Sequence, residues 1–264
     1  MNLENICEAV ARLAKETGKE IKRYNKENGL KVEVKGRHDF VTQVDKYSEK
    51  LLVEGLSQIL PEAGYIAEEG TRTDRGEHFN WVIDPIDGTT NFIHDVPPHA
   101  ISIALMQDGK VVIGVIYEIC GDELFYAYKD GGAYLNDEHI HVSPVADISQ
   151  SLISTGFPYS NFDRLDDYMK LFNHFTKNSS GLRRHGSAAT DLAYVAAGRF
   201  DAFFEYDLKP YDVAAGAIIV QEAGGRIADF KGKDDYIFGK EIIATNGLIY
   251  EDFLEATKKA FGNK

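Results

Sequence analysis

Asp84 and Asp87 stand three residues apart in the segment WVIDPIDGTTNF (81–92), directly after the apolar run Trp81-Val82-Ile83. Such a run reads as a buried strand. Carboxylates at the end of a strand point into the crevice where open α/β sheets bind ligands. The run then breaks at Asp84, where Pro85 fixes φ between the two acids and donates no hydrogen bond. Gly88 lets the backbone approach whatever the carboxylates hold. Thr89 or Thr90 reads as the N-cap of a following helix, whose free N–H groups make an anion site. Carboxylates for a hard cation beside amides for an anion suggest one occupant, a metal-bound phosphate. An isolated Asp-x-x-Asp is more often a plain Asp/Gly/Thr-rich turn, so the remaining chain has to decide.

The elements that position these residues follow from periodicity. Leu3, Ile6, Val10, Leu13, Ile21 and Tyr24 predict an amphipathic helix over 3–26, ended by Asn28-Gly29. A short strand over 31–34 and a polar loop from Lys35 lead to a helix over 42–60, closed by Pro61, with Asp45 in its first turn. Tyr65-Ile66-Ala67 is a brief strand ending in Glu68-Glu69. The runs 101–106 and 111–117 flank Asp108-Gly109, a hairpin signal, and 124–128 and 133–135 continue a meander. From Pro144 onward strands alternate with helices: strands at 151–154, 181–184, 202–205 and 242–244, helices at 165–175, 188–197, 213–223 and 250–261. Asp212 opens the third of these helices. The pattern predicts an α/β protein, an α+β half over 1–143 followed by an α/β half over 144–264.

The set Asp45, Glu68-Glu69, DPIDGT at 84–89 and PYD at 210–212 followed by VAAG resembles the inositol monophosphatase family of lithium-sensitive, magnesium-dependent phosphatases. VTQVD at 41–45, RRHGSAA at 183–189 and GRFDAFFE at 198–205 extend the likeness over nearly the whole chain. Tyr211 stands where the family most often has Trp, which predicts altered packing beside Asp212. The resemblance implies a layered αβαβα sandwich of the sugar phosphatase type, with the site between the halves. It implies that Glu68, Asp84, Asp87, Asp212 and the carbonyl of Ile86 bind up to three Mg²⁺ ions, hard cations that want oxygen ligands. Asp84 would bridge two of them, Glu68 and Ile86 lying to one side and Asp87 and Asp212 to the other. Asp45 and Thr89 would orient the metal-activated water, with Glu69 supporting its neighbours. Phosphate would rest on the N–H groups of Gly88 and Thr89, and the substrate's hydroxyls on Glu205, Gly186, Ser187 and Ala188, with Asp87 and Asp212 also in reach.

The implied activity is hydrolysis of a small phosphorylated polyol or sugar, inositol 1-monophosphate leading, by in-line attack of water. The alternatives are fructose 1,6-bisphosphate, NADP or 3′-phosphoadenosine 5′-phosphate as substrate, or a non-catalytic accessory role in an RNA-synthesis complex. The short Glu69–Trp81 connection is closer to the inositol type. A net charge of −13 over 264 residues argues against direct nucleic-acid contact or an anionic membrane surface. The charged N-terminus lacks the apolar core of a signal peptide, and a cytoplasmic protein is expected, a homodimer by the same resemblance. Cys7 and Cys120, far apart, read as buried thiols. His94, His99, His139, His141 and His185 show no ligand spacing and read as surface or packing residues.

Overall fold

The computed structural model describes residues 1–28, 32–36 and 39–262. The expected helix stop at Gly29, the start of the 31–34 strand at Lys31 and Arg37-His38 of the following loop lie outside the described residues. The first half contains α1 (Leu3–Asn28), β1 (Val32–Gly36), β2 (Asp39–Thr42), α2 (Gln43–Ile59), β3 (Gly64–Ala67), β4 (Phe79–Asp87) and α3 (Thr89–Ile93). A meander follows: β5 (Ala100–Gln107), β6 (Lys110–Glu118), β7 (Glu123–Tyr128), β8 (Ala133–Leu135) and β9 (Glu138–Ile140). Then come β10 (Leu152–Thr155), α4 (Leu165–Asn178), β11 (Gly181–Arg183), α5 (Ala188–Ala196), β12 (Ala202–Tyr206), α6 (Pro210–Glu222), β13 (Arg226–Ala228), β14 (Glu241–Thr245) and α7 (Tyr250–Phe261).

Seven strands, β3 to β9 in sequence order, form one sheet, antiparallel except where β3 runs parallel to β4. The second sheet has the order β11-β10-β12-β14-β13. Period-two alternation on β4 and β5 sends Trp81, Ile83, Ile101, Ile103 and Leu105 into a core beneath α1 and α2. Val82, Ala104 and Met106 face the other way, into a core shared with α5 and α6. The second sheet closes that core with Phe203 and Ala244, and packs Phe204, Ile243 and Ile153 against Tyr168 and Phe175 of α4 and Phe253 of α7. The layers are therefore helices, sheet, helices, sheet, helices: the αβαβα sandwich.

Several local expectations need correction. β4 does not break at Asp84; it continues through a bulge to Asp87, where its pairing with β5 resumes at Ala100. The cap of α3 is Gly88, at φ +91° in the left-handed region, so Thr89 and Thr90 lie inside the helix. A side chain at the cap position would be strained at that φ, which the sequence avoids with glycine. α6 begins at Pro210, not Val213, because proline suits the first helical position. The stretch before α2 is partly a strand, β2. Strands β9 and β13, three residues each, were not expected. Cys7 is buried but Cys120 is exposed. The hairpin is as expected, with Asp108 and Gly109 both at positive φ.

Candidate active site

The N-termini of α2, α3, α5 and α6 converge beside the end of β4, so positive dipole ends meet the acidic residues the sequence singled out. Asp84, Asp87 and Asp212 each present a carboxylate oxygen, and these three atoms lie within 4.8 Å of one another. Glu68, at the end of β3, lines the same cleft with Ile86, Gly88, Thr89, Gly186 and Glu205.

Hydrogen bonds fix most of these groups. Asp84 accepts the N–H of Ile86 at 2.9 Å, which shapes the bulge around Pro85. Asp87 reaches across to the second half, accepting the Ser187 hydroxyl and the Ala189 N–H at 2.8 Å. Asp212, in the first turn of α6, accepts the Lys209 N–H at 2.6 Å. Asp45 and Thr42 form a capping box at the start of α2, and the Thr89 hydroxyl lies 3.2 Å from Asp45 and 3.0 Å from the carbonyl of Ile86. Glu69 is held through its backbone, its N–H donating to Glu49. Ser187 caps α5 by accepting the Thr190 N–H at 3.3 Å, and its hydroxyl lies 2.7 Å from that of Thr190. Its hydroxyl is thus engaged inside the protein, and the backbone of 186–188 is what it leaves facing the cleft.

Burial and like charge dominate the electrostatics. Burial holds Asp84 well above the usual carboxylate range, and repulsion from Glu68, Asp87 and Asp212 adds to it. Asp212 is pushed up to about 8 by burial and Asp87, against the pull of the Lys209 N–H. Asp87 is pushed up to about 6 by burial, although the Ser187 and Ala189 donors pull it down. Glu205 is raised well above its ordinary value by burial, then by Asp191, Asp212 and Asp87. Asp45 is raised by burial, opposed by the Thr42 and Thr89 donors. Carboxyls so placed cannot all ionise unless a cation joins them. An all-oxygen donor set of this charge suits a hard divalent ion and offers nothing to a soft one.

Four neighbours were not singled out in the sequence. Gly156 gives Glu205 its room: a Cβ there would stand 2.1 Å from that carboxylate. Tyr159 lines the cleft, its hydroxyl accepting from Arg184 at 3.1 Å. Asp191 lies buried 3.3 Å from His185. Glu49 sits one turn after Asp45, and that i, i+4 spacing on an expected helix was the one signal available. Tyr211 packs against the middle core while its carbonyl accepts the Ser102 hydroxyl at 3.0 Å, tying α6 to β5. His94, His139 and His141 are exposed, and His99 is buried edge-on against Phe92.

A layered αβαβα sandwich with a cage of buried and half-buried carboxylates at converging helix N-termini defines the class of metal-dependent phosphatases. The inositol monophosphatase family model matches residues 2–261, and the chain belongs to that family. It is with that family a phosphoric monoester hydrolase. It is 40% identical over 229 residues to a putative Nus factor SuhB of Neisseria meningitidis serogroup B, covering 86% of this chain and 88% of that one. It is 36% identical over 256 residues to an inositol-1-monophosphatase of Mesorhizobium japonicum, covering 96% of each. The crystal structure of extragenic suppressor protein suhB from Bartonella henselae superimposes with a TM-score of 0.90 at 39% identity, covering 96% of this chain and 98% of that one.

Proposed function

We propose that this chain hydrolyses small phosphate monoesters of polyols, inositol 1-monophosphate foremost, with Mg²⁺ held by Glu68, Asp84, the Ile86 carbonyl, Asp87 and Asp212, up to three ions in all. The observation that carries the reading is the trio of buried Asp84 and Asp87 with half-buried Asp212, whose carboxylate oxygens lie within 4.8 Å of one another and repel unless a cation joins them. Bound there, the ions supply a water of lowered pKa and positive charge for the departing oxygen.

The chain's own residues do the rest. The Thr89 hydroxyl donates toward Asp45 or the Ile86 carbonyl, leaving its oxygen lone pairs to align the attacking water. Asp45 holds that hydroxyl in place, and Glu69 stabilises the turn beside it. The N–H groups of Gly88 and Thr89 face the phosphate oxygens. Glu205 and the backbone of Gly186, Ser187 and Ala188 meet the hydroxyls of the polyol, with Asp87 and Asp212 close enough to contribute. The division into a ligand-bearing half, 1–143, and a hydroxyl-reading half, 144–264, belongs to this proposal. So does a cytoplasmic homodimer; no helix among the described residues is long and apolar enough to cross a membrane.

A phosphate-release screen over inositol 1-monophosphate, fructose 1,6-bisphosphate, NADP, 3′-phosphoadenosine 5′-phosphate and an aryl phosphate, with and without Mg²⁺, tests the substrate. The highest kcat/KM falls on inositol 1-monophosphate; a nucleotide in first place would refute that choice. The Nus factor name carried by the Neisseria relative motivates a second reading, an accessory role in an RNA-synthesis complex. With a net charge of −13, such a role runs through a protein partner rather than RNA. Co-purification with RNA polymerase in RNase-treated extract supports it, and absence of any association refutes it.

A further inference from the structure

Glu49 has no role in the chemistry above, yet it is placed at a considerable cost. It is 0% exposed, as is Asp45 one turn earlier on the same face of α2. Its carboxylate makes no ion pair with a Lys or Arg among the described residues. Instead each oxygen accepts one backbone N–H: Oε2 that of Glu69 at 2.7 Å, Oε1 that of Thr71 at 2.7 Å. Burying a carboxylate against neutral donors is unfavourable, and loop amides could have been satisfied by water.

What the arrangement secures is position. Glu68 is anchored to β4 on one side, its N–H donating to the carbonyl of Ile83 at 3.1 Å. Glu49 clamps the next turn of chain on the other side. The same face of α2 holds the Thr89 hydroxyl through Asp45. One helix therefore sets both the segment bearing Glu68 and the residue that aligns water.

We propose that Glu49 is a positioning residue for the metal cage, fixing the backbone of 68–71 so that Glu68 meets the ion it shares with Asp84. This rests on the reading of Glu68 as a metal ligand. Calorimetric titration of metal-free protein with Mg²⁺, without substrate, tests it in the wild type, Glu49→Gln and Glu49→Asp. Gln turns an NH₂ group toward a backbone N–H and breaks the clamp. Its Mg²⁺ affinity falls about 10–100-fold, the usual loss when the partners of a metal's ligands are removed. Asp keeps both acceptors at shorter reach and loses less. The Mg²⁺ needed for half-maximal activity rises by the same factor, while KM for the ester at saturating Mg²⁺ stays put. Glu54→Gln, an exposed change on the same helix, behaves as wild type. Wild-type Mg²⁺ affinity in folded Glu49→Gln, or in Glu49→Asp should the former not fold, overturns the proposal even if thermal stability drops. A wild-type protein that binds no Mg²⁺ overturns instead the reading of the cage.

Discussion

Glu205 concentrates the selectivity question in a single side chain. It projects from β12 on the same face as Phe203, toward the layer of α5 and α6, and only the missing side chain at Gly156 lets its carboxyl lie there. A hydroxyl of the polyol that pairs with this group is lost to a substrate without one. Glu205→Gln therefore lowers kcat/KM for inositol 1-monophosphate by about 10–100-fold, the range of a hydrogen bond to a charged group. An aryl phosphate, which offers no such hydroxyl, loses much less, and the Mg²⁺ requirement changes little. Parallel kinetics on the two esters check this; equal losses with a sharp rise in Mg²⁺ demand would reassign Glu205 to the cage.

Among the elements, α2 has the largest consequence, because its first turns hold Asp45 and Glu49. Thr42 caps it, accepting the Val44 N–H at 3.0 Å and donating to Asp45. Thr42→Val removes both bonds at nearly constant volume. It costs about 1–2 kcal/mol in a urea unfolding experiment and lowers kcat, since Asp45 loses a restraint. Unchanged stability would show that the cap is not needed. The elements show where sequence reading succeeds and where it stops. α1, α4 and α7 each bury one apolar stripe and declare their period, and β5 and β6 meet at Asp108-Gly109, whose turn chemistry is local. β9 and β13 are three residues long and are held by neighbours distant in sequence, so no period exists to read. α6 starts three residues ahead of its apolar run because Pro210 takes the first helical position, a signal of residue type rather than of period, and Asp212 lies in its first turn. In the site, acids at strand and helix ends were legible from type and order. Glu49, Gly156 and Asp191 were not, because what they do depends on contacts between separate elements that no local pattern encodes.

At the scale of the whole molecule, the acid cage links folding to protons and to metal. Asp87 near 6 and Asp212 near 8 both lie above the ordinary 3.8. The metal-free folded chain therefore keeps protons that the unfolded chain has released. That stability is fully present below about pH 4 and is lost as pH rises through about 6 and then about 8. Mg²⁺ competes with those protons, so the rise in Tm on adding Mg²⁺ grows from pH 5 to pH 8.5, and Asp212→Asn flattens the trend. Thermal melts across that range check it; a Mg²⁺ effect independent of pH would contradict it. The same cage predicts inhibition by Li⁺, an oxygen-seeking ion with half the charge of Mg²⁺, which fills the site without stabilising a departing alkoxide. LiCl slows phosphate release where KCl at equal ionic strength does not, and equal rates in the two salts would contradict a cage completed by Asp212. The central claim, hydrolysis of a phosphate monoester at a metal held by these acids, is tested most directly by phosphate release from inositol 1-monophosphate against Mg²⁺ concentration, wild type beside Asp84→Asn. The account predicts turnover that requires Mg²⁺ in the wild type. In a variant with native circular dichroism it predicts a loss beyond the ~10–100-fold expected for a mere partner of a ligand. Wild-type turnover without divalent metal, or a folded Asp84→Asn retaining most of its kcat, would contradict it.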